Sequence, residues 1–143
     1  MRFSIGNSHS GRIEIQILRY ERDASGCIYD DNWLSVTVDL SFGGFKGCFD
    51  AAFLTMDLKS FLTEAEKLYS SLKGTAKFDS MESQLVFTLE GNGKGGISLN
   101  GIALDQVGTG NELKFFAELD QTELEVSLKE LRKVVNEFPV RVL

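Results

Sequence analysis

A chain of 143 residues has room for one domain with one sizeable core. Its 15 basic residues against 21 acidic ones leave a net charge of −6. No basic stripe of the kind direct nucleic-acid binding depends on is visible, and no apolar run approaches the length of a membrane span. Met1-Arg2-Phe3 is not followed by the apolar stretch of a secretory leader, so a cytoplasmic protein is expected.

In chain order, Phe3 and Ile5 alternate as in a small edge strand, and Gly6 to Gly11 form a polar connector. Ile13, Ile15 and Ile17 share one parity of a strand over Arg12 to Tyr20. Glu21 to Asp31 is an acidic loop. Leu34, Val36, Val38 and Leu40 mark the next strand, Phe42-Gly43-Gly44 turns it, and Phe45 to Phe53 returns antiparallel. A helix then follows. Thr55 is its expected N-cap, Leu58, Phe61, Leu62, Ala65, Leu68, Tyr69 and Leu72 form its apolar stripe, and Gly74 is its expected stop.

Three consecutive strands are expected from Ser83 to Leu119, after a short one over Thr75 to Asp79. In the first of the three, Leu85, Phe87 and Leu89 alternate with polar residues. Past Asn100-Gly101 the apolar parity slips to Ile102 and Leu104, which predicts a β-bulge. Asp120, with Glu123 three residues on, predicts a capping box for a second helix striped by Leu124, Leu128, Leu131, Val134, Val135 and Phe138 and stopped by Pro139. The sum is a single α+β domain over 1–143, with no internal repeat. It holds a mostly antiparallel sheet of about six to seven strands with two helices packed on it, in the order β-β-β-α-β-β-β-β-α.

Gly91-Asn92-Gly93-Lys94-Gly95-Gly96 has the composition of a phosphate cradle. A cradle needs a helix N-terminus behind it, and here a strand follows, so the segment reads as the mobile tip of a hairpin. His9 stands alone in a polar connector, without a carboxylate or nucleophile at a catalytic spacing. Cys27, in a loop, and Cys48, expected as a buried thiol, match neither a redox pair nor a zinc site, and whether they pair is left open. No catalytic, cofactor or metal residues are assigned, and an enzyme is not expected.

Acidic groups are the remaining candidates. Asp23, Asp30 and Asp31 crowd the loop before Trp33, a residue that either anchors an interface or packs into the core. From Asp105 to Glu137 eight acids stand against four bases, Glu118 and Glu123 among them. Asp23, Asp30, Asp31, Trp33, Glu118 and Glu123 are therefore the candidate partner-binding residues. Val86 and Phe116 fall on otherwise polar strand faces, where exposed apolar groups mark an interface.

The order of these segments resembles a known family. Gly11-Arg12-Ile13-Glu14-Ile15 leads to Tyr20-Glu21, the acidic loop ends in Asp31-Asn32-Trp33-Leu34, Leu54-Thr55 opens a helix with Leu58, and Met81-Glu82-Ser83-Gln84-Leu85 enters a strand. This pattern, spanning about residues 11–137, resembles the WapI-type immunity proteins, which guard against contact-dependent toxins. Where that family often has proline after its Tyr-Glu, this chain has Arg22-Asp23. The resemblance implies a non-enzymatic cytoplasmic protein that neutralises a cognate nuclease-type toxin by occlusion. The implied partner is a basic protein, met by an acidic surface. The alternatives are a stand-alone small-ligand-binding domain, marked by a deep apolar pocket, and a self-associating one, a homodimer.

Overall fold

In a computed structural model residues 1–142 are described, and they form two four-stranded antiparallel sheets. The first holds β1 (Arg2–Asn7), β2 (Gly11–Tyr20), β3 (Trp33–Phe42) and β4 (Phe45–Leu54) in that order. The second holds β5 (Lys73–Asp79), β6 (Leu85–Asn92), β7 (Gly96–Leu104) and β8 (Glu112–Asp120). A short α1 (Ile28–Asp31) lies in the β2–β3 loop, α2 (Thr55–Ser71) joins the sheets, and α3 (Gln121–Glu137) follows β8. No helix among the described residues is long and apolar enough to cross a membrane.

The α+β class and the antiparallel pairing match expectation, but the single sheet with two helices does not. Alternation tells which face of a strand is buried; it does not tell which sheet the strand joins. α2 interrupts the strand series and starts a second sheet, whose first strand pairs forward with β6 and never with β4. Residues of one parity fill the space between the sheets. Phe42 of β3 stacks on Phe115 of β8 with centroids 4.4 Å apart, and Phe53 meets Phe78 edge-on at 5.0 Å. Phe61 of α2 reaches the stacked pair Phe78 and Phe87.

The architecture repeats even though the sequence does not: each half is four strands and a helix. α2 and α3 both have 17 residues, and both bury their fourth, seventh, eleventh and fourteenth positions. In each helix the tenth residue is a glutamate whose Oε1 accepts an edge-strand N–H. Glu64 takes that of Lys77 in β5 (3.2 Å) and Glu130 that of Ser4 in β1 (3.0 Å). The helices meet at their twelfth residues, where Arg132 Nε lies 3.4 Å from Glu66 Oε1. Each helix therefore shields one sheet edge that would otherwise present unpaired backbone. α2 shields the edge of the second sheet and α3 that of the first.

Several local expectations change. The predicted bulge at Asn100-Gly101 is absent: β6, β7 and β8 pair without a register shift, Gly101 takes the inward position, and Ile102 faces out. A side chain at Gly101 would come within 2.4 Å of the Phe115 ring, so the glycine is there to seat that ring. The irregularity lies in β2 instead, between Ile17 and Arg19. Leu54, not Thr55, is the N-cap of α2, and Asp57 accepts its N–H. Thr55 is free to donate its hydroxyl to Asn32 Oδ1 at 2.6 Å. The helix stops at Leu72, which adopts a left-handed φ of 60°, and Gly74 lies inside β5. Cys48 faces solvent rather than the core, and both cysteines are free thiols. Asp39, opposite Cys48 in the adjoining strand, together with partial burial and Asp50, holds that thiol above its ordinary pKa.

The glycine tip is docked rather than mobile. Gly93 N–H donates to the Leu72 carbonyl at the end of α2, and Gly95 C=O accepts from Gln121 N–H at the start of α3. Asn92 Oδ1 closes the turn by accepting from Lys94 and Gly96.

Candidate functional site: the acidic β2–β3 loop

The most completely built surface feature is the loop from Glu21 to Asn32, and two side chains hold it. Asp31, buried beneath the loop, accepts from Ser25 N–H and Ser25 Oγ, both at 2.7 Å, and from Gly26 N–H at 2.8 Å. Those Ser25 donors, with Gly26 and the Arg141 charge, hold the Asp31 carboxyl below the ordinary aspartate range against the cost of burial. Asn32 is fully buried and satisfied on both sides of its amide. Its Nδ2 donates to the carbonyls of Ile28 and Arg141, and its Oδ1 accepts from Thr55 and Arg141 N–H. The segment after α3 is drawn into the same knot. Tyr20 donates its hydroxyl to the Pro139 carbonyl, and Arg141 lies 3.5 Å above the Tyr20 ring. Burial pushes the Tyr20 hydroxyl pKa up, opposed by the Arg141 charge.

What the knot displays is an apolar pair with acids beside it. Ile28 and Tyr29, the first two residues of α1, are 44% and 57% exposed, unusual for such side chains in an anchored loop. Asp23 is exposed, and Asp30 is half-buried with Oδ2 3.8 Å from Arg22.

The six residues singled out from sequence do not form one face. Asp23 is exposed and Asp30 faces Arg22 at the surface, whereas Asp31 is committed to holding the loop. Trp33 is half-buried at the start of β3, opposite Leu54, between its two expected roles. Glu118 and Glu123 lie with the other end of β2, about 30 Å away at ordinary strand rise. Glu118 is exposed on β8, where it accepts from Ser98 Oγ and its N–H donates to Ser10. Glu123 completes the predicted capping box: Asp120 Oδ1 accepts from Glu123 N–H, and Glu123 Oε1 accepts from Asp120 N–H. Sequence reasoning missed Ile28 and Tyr29. Their signal was an apolar pair inside an otherwise polar loop, with no periodicity to bury it.

His9 is exposed in the β1–β2 turn, with its N–H on Asn7 Oδ1. Among the described residues no group of three or more His, Cys, Asp or Glu gathers as a metal site. The larger surface depressions are open to solvent rather than enclosed, which is not the deep pocket a small-ligand domain would show.

The profile of the immunity protein WapI-like family matches residues 4–139. The chain belongs to this family. The match takes in both halves of the WapI-like chain, from β1 to the segment that follows α3. No curated protein matches it in sequence. Among solved structures, that described as the crystal structures of Trypanosoma bruciei MRP1/MRP2 is similar, with a TM-score of 0.51 and 10% identity. The alignment covers 95% of this chain and 84% of that one. At that identity the likeness is one of fold alone.

Proposed function

We propose that the chain is a non-enzymatic immunity protein that neutralises a cognate toxin by occlusion, and that it engages the toxin through the β2–β3 loop. Family membership carries the first part. The second rests on one observation: Ile28 and Tyr29 are held exposed by a loop whose own polar groups are satisfied internally. A rigid aromatic beside acids supports capture of a basic partner, as a nuclease-type toxin would be. The ring supplies the desolvated anchor, and Asp23 and Asp30 speed encounter. The site lies in the cytoplasm of the toxin's target cell under this reading.

The test is co-expression with a candidate cognate toxin domain, followed by a direct binding measurement. The wild-type chain is expected to protect and to bind. A Tyr29→Ala, Asp30→Ala variant with an unchanged circular-dichroism spectrum is expected to bind at least about tenfold more weakly. Lack of protection by the wild type would overturn the function; full binding by the variant would move the site elsewhere.

A further inference from the structure

The outer face of the second sheet carries apolar side chains where a solvated sheet face needs none. Phe116 is 75% exposed, Ile102 38%, and Val86 is half-buried beside them. The unbroken register places the outward residues in rows across the four strands. One row reads Asp79, Val86, Ile102, Lys114, the next Lys77, Thr88, Asn100, Phe116, and the third Thr75, Glu90, Ser98, Glu118. Neither Lys77 nor Lys114 is in an ion pair among the described residues.

We propose that this face binds a second copy of the chain, face to face, about a two-fold axis running along the strands between β6 and β7. Such an axis reverses each row against itself. Asp79 then meets Lys114 of the other copy at both ends of the first row, and Val86 meets Ile102 twice in the middle. In the second row Lys77 lies over the Phe116 ring, a cation–π contact, and Thr88 meets Asn100. In the third Glu90 meets Ser98 and Glu118 meets Thr75. No like charges are opposed anywhere in the three rows, which is what an isologous interface requires. An axis across the strands fares worse, because it sets Lys77 on Lys77 and Val86 on Glu90.

Four strands at about 4.8 Å spacing and roughly 26 Å length offer about 500 Å² of flat face per copy. Two copies would bury about 1,000 Å², the lower threshold of a specific interface, so the dimer is a weak, concentration-dependent one. It uses a surface distinct from the β2–β3 loop and leaves that loop free.

Sedimentation velocity from micromolar to near-millimolar concentration tests it. The wild type is expected to shift from monomer to dimer. Asp79→Lys or Lys114→Glu alone is expected to weaken association at least about tenfold, and the two together to restore it. Phe116→Glu is expected to leave a monomer. These side chains face solvent, and an unchanged melting temperature confirms that each variant is folded. A wild type that stays monomeric overturns the proposal. So does a dimer indifferent to both single reversals, or a monomer whose toxin binding falls on Phe116→Glu, which would make this the toxin's face instead.

Discussion

Asp31 shows how one residue can turn a polar loop into a fixed surface. Its carboxylate gathers three donors from Ser25 and Gly26, and ionisation is what makes it a good acceptor for all three. Because its pKa is lowered on folding, its contribution is present above the ordinary aspartate value of 3.8 and is lost as pH falls through the folded value. Acidification below that range should therefore loosen the loop before the core yields. Limited trypsin digestion after Arg22 should speed up in Asp31→Ala at neutral pH, while the melting of the core stays cooperative. If cleavage after Arg22 is unchanged in that variant, the carboxylate does not hold the loop. Sequence reading named Asp31 as an acid available to a partner, since charge and loop position are visible in a sequence. That its two oxygens point inward depends on the path of the chain from Ser25 to Asn32, which no local pattern encodes. Glu123 was legible in its structural role because capping is local: the acid and the N–H it accepts are three residues apart.

At the scale of elements, strands and helices were legible wherever a period ran for several turns or pairs. The stripe of α2 is buried at Leu58, Phe61, Ala65 and Leu68, as its spacing requires. Junctions were less legible, because they depend on what a neighbouring element offers. Gly74 was the expected end of α2, but Leu72 accepts a left-handed conformation and its carbonyl receives the Gly93 N–H from the far hairpin. The apparent parity slip past Gly101 is likewise a packing matter, the inward glycine yielding its space to Phe115. The hairpin tip follows the same logic, since it joins the end of α2 to the start of α3 through one backbone bond to each. Deleting Gly93 to Gly95 removes both bonds, and the unfolding midpoint in urea should fall by an amount equivalent to about 1–3 kcal/mol. A deletion variant as stable as the parent would show that the tip is idle.

For the molecule as a whole, the division into two sheets and the repetition of its halves were beyond a reading of periods. The two helices share burial positions but few of the residues that fill them: Leu58 corresponds to Leu124, but Phe61 of α2 corresponds to Ser127 of α3, and Ala65 to Leu131. Glu64 and Glu130 keep both place and identity, and their common task appears once β5 and β1 are seen as equivalent edges. That equivalence bears on the ends of the chain. The Met1 carbonyl accepts from Ile17 N–H, and the Pro139 carbonyl accepts from Tyr20, three residues further along the same strand. Both terminal segments are therefore tied to the same end of β2. α3 stands to β1 as α2 stands to β5, so the packing is expected not to depend on the order of the halves along the chain. A circular permutant opened between Ser71 and Lys73, with a flexible link from Val142 to Met1, should recover the parent's circular-dichroism spectrum and a single cooperative melt. Loss of cooperativity would mean that the covalent turn at Leu72 is what nucleates the second sheet.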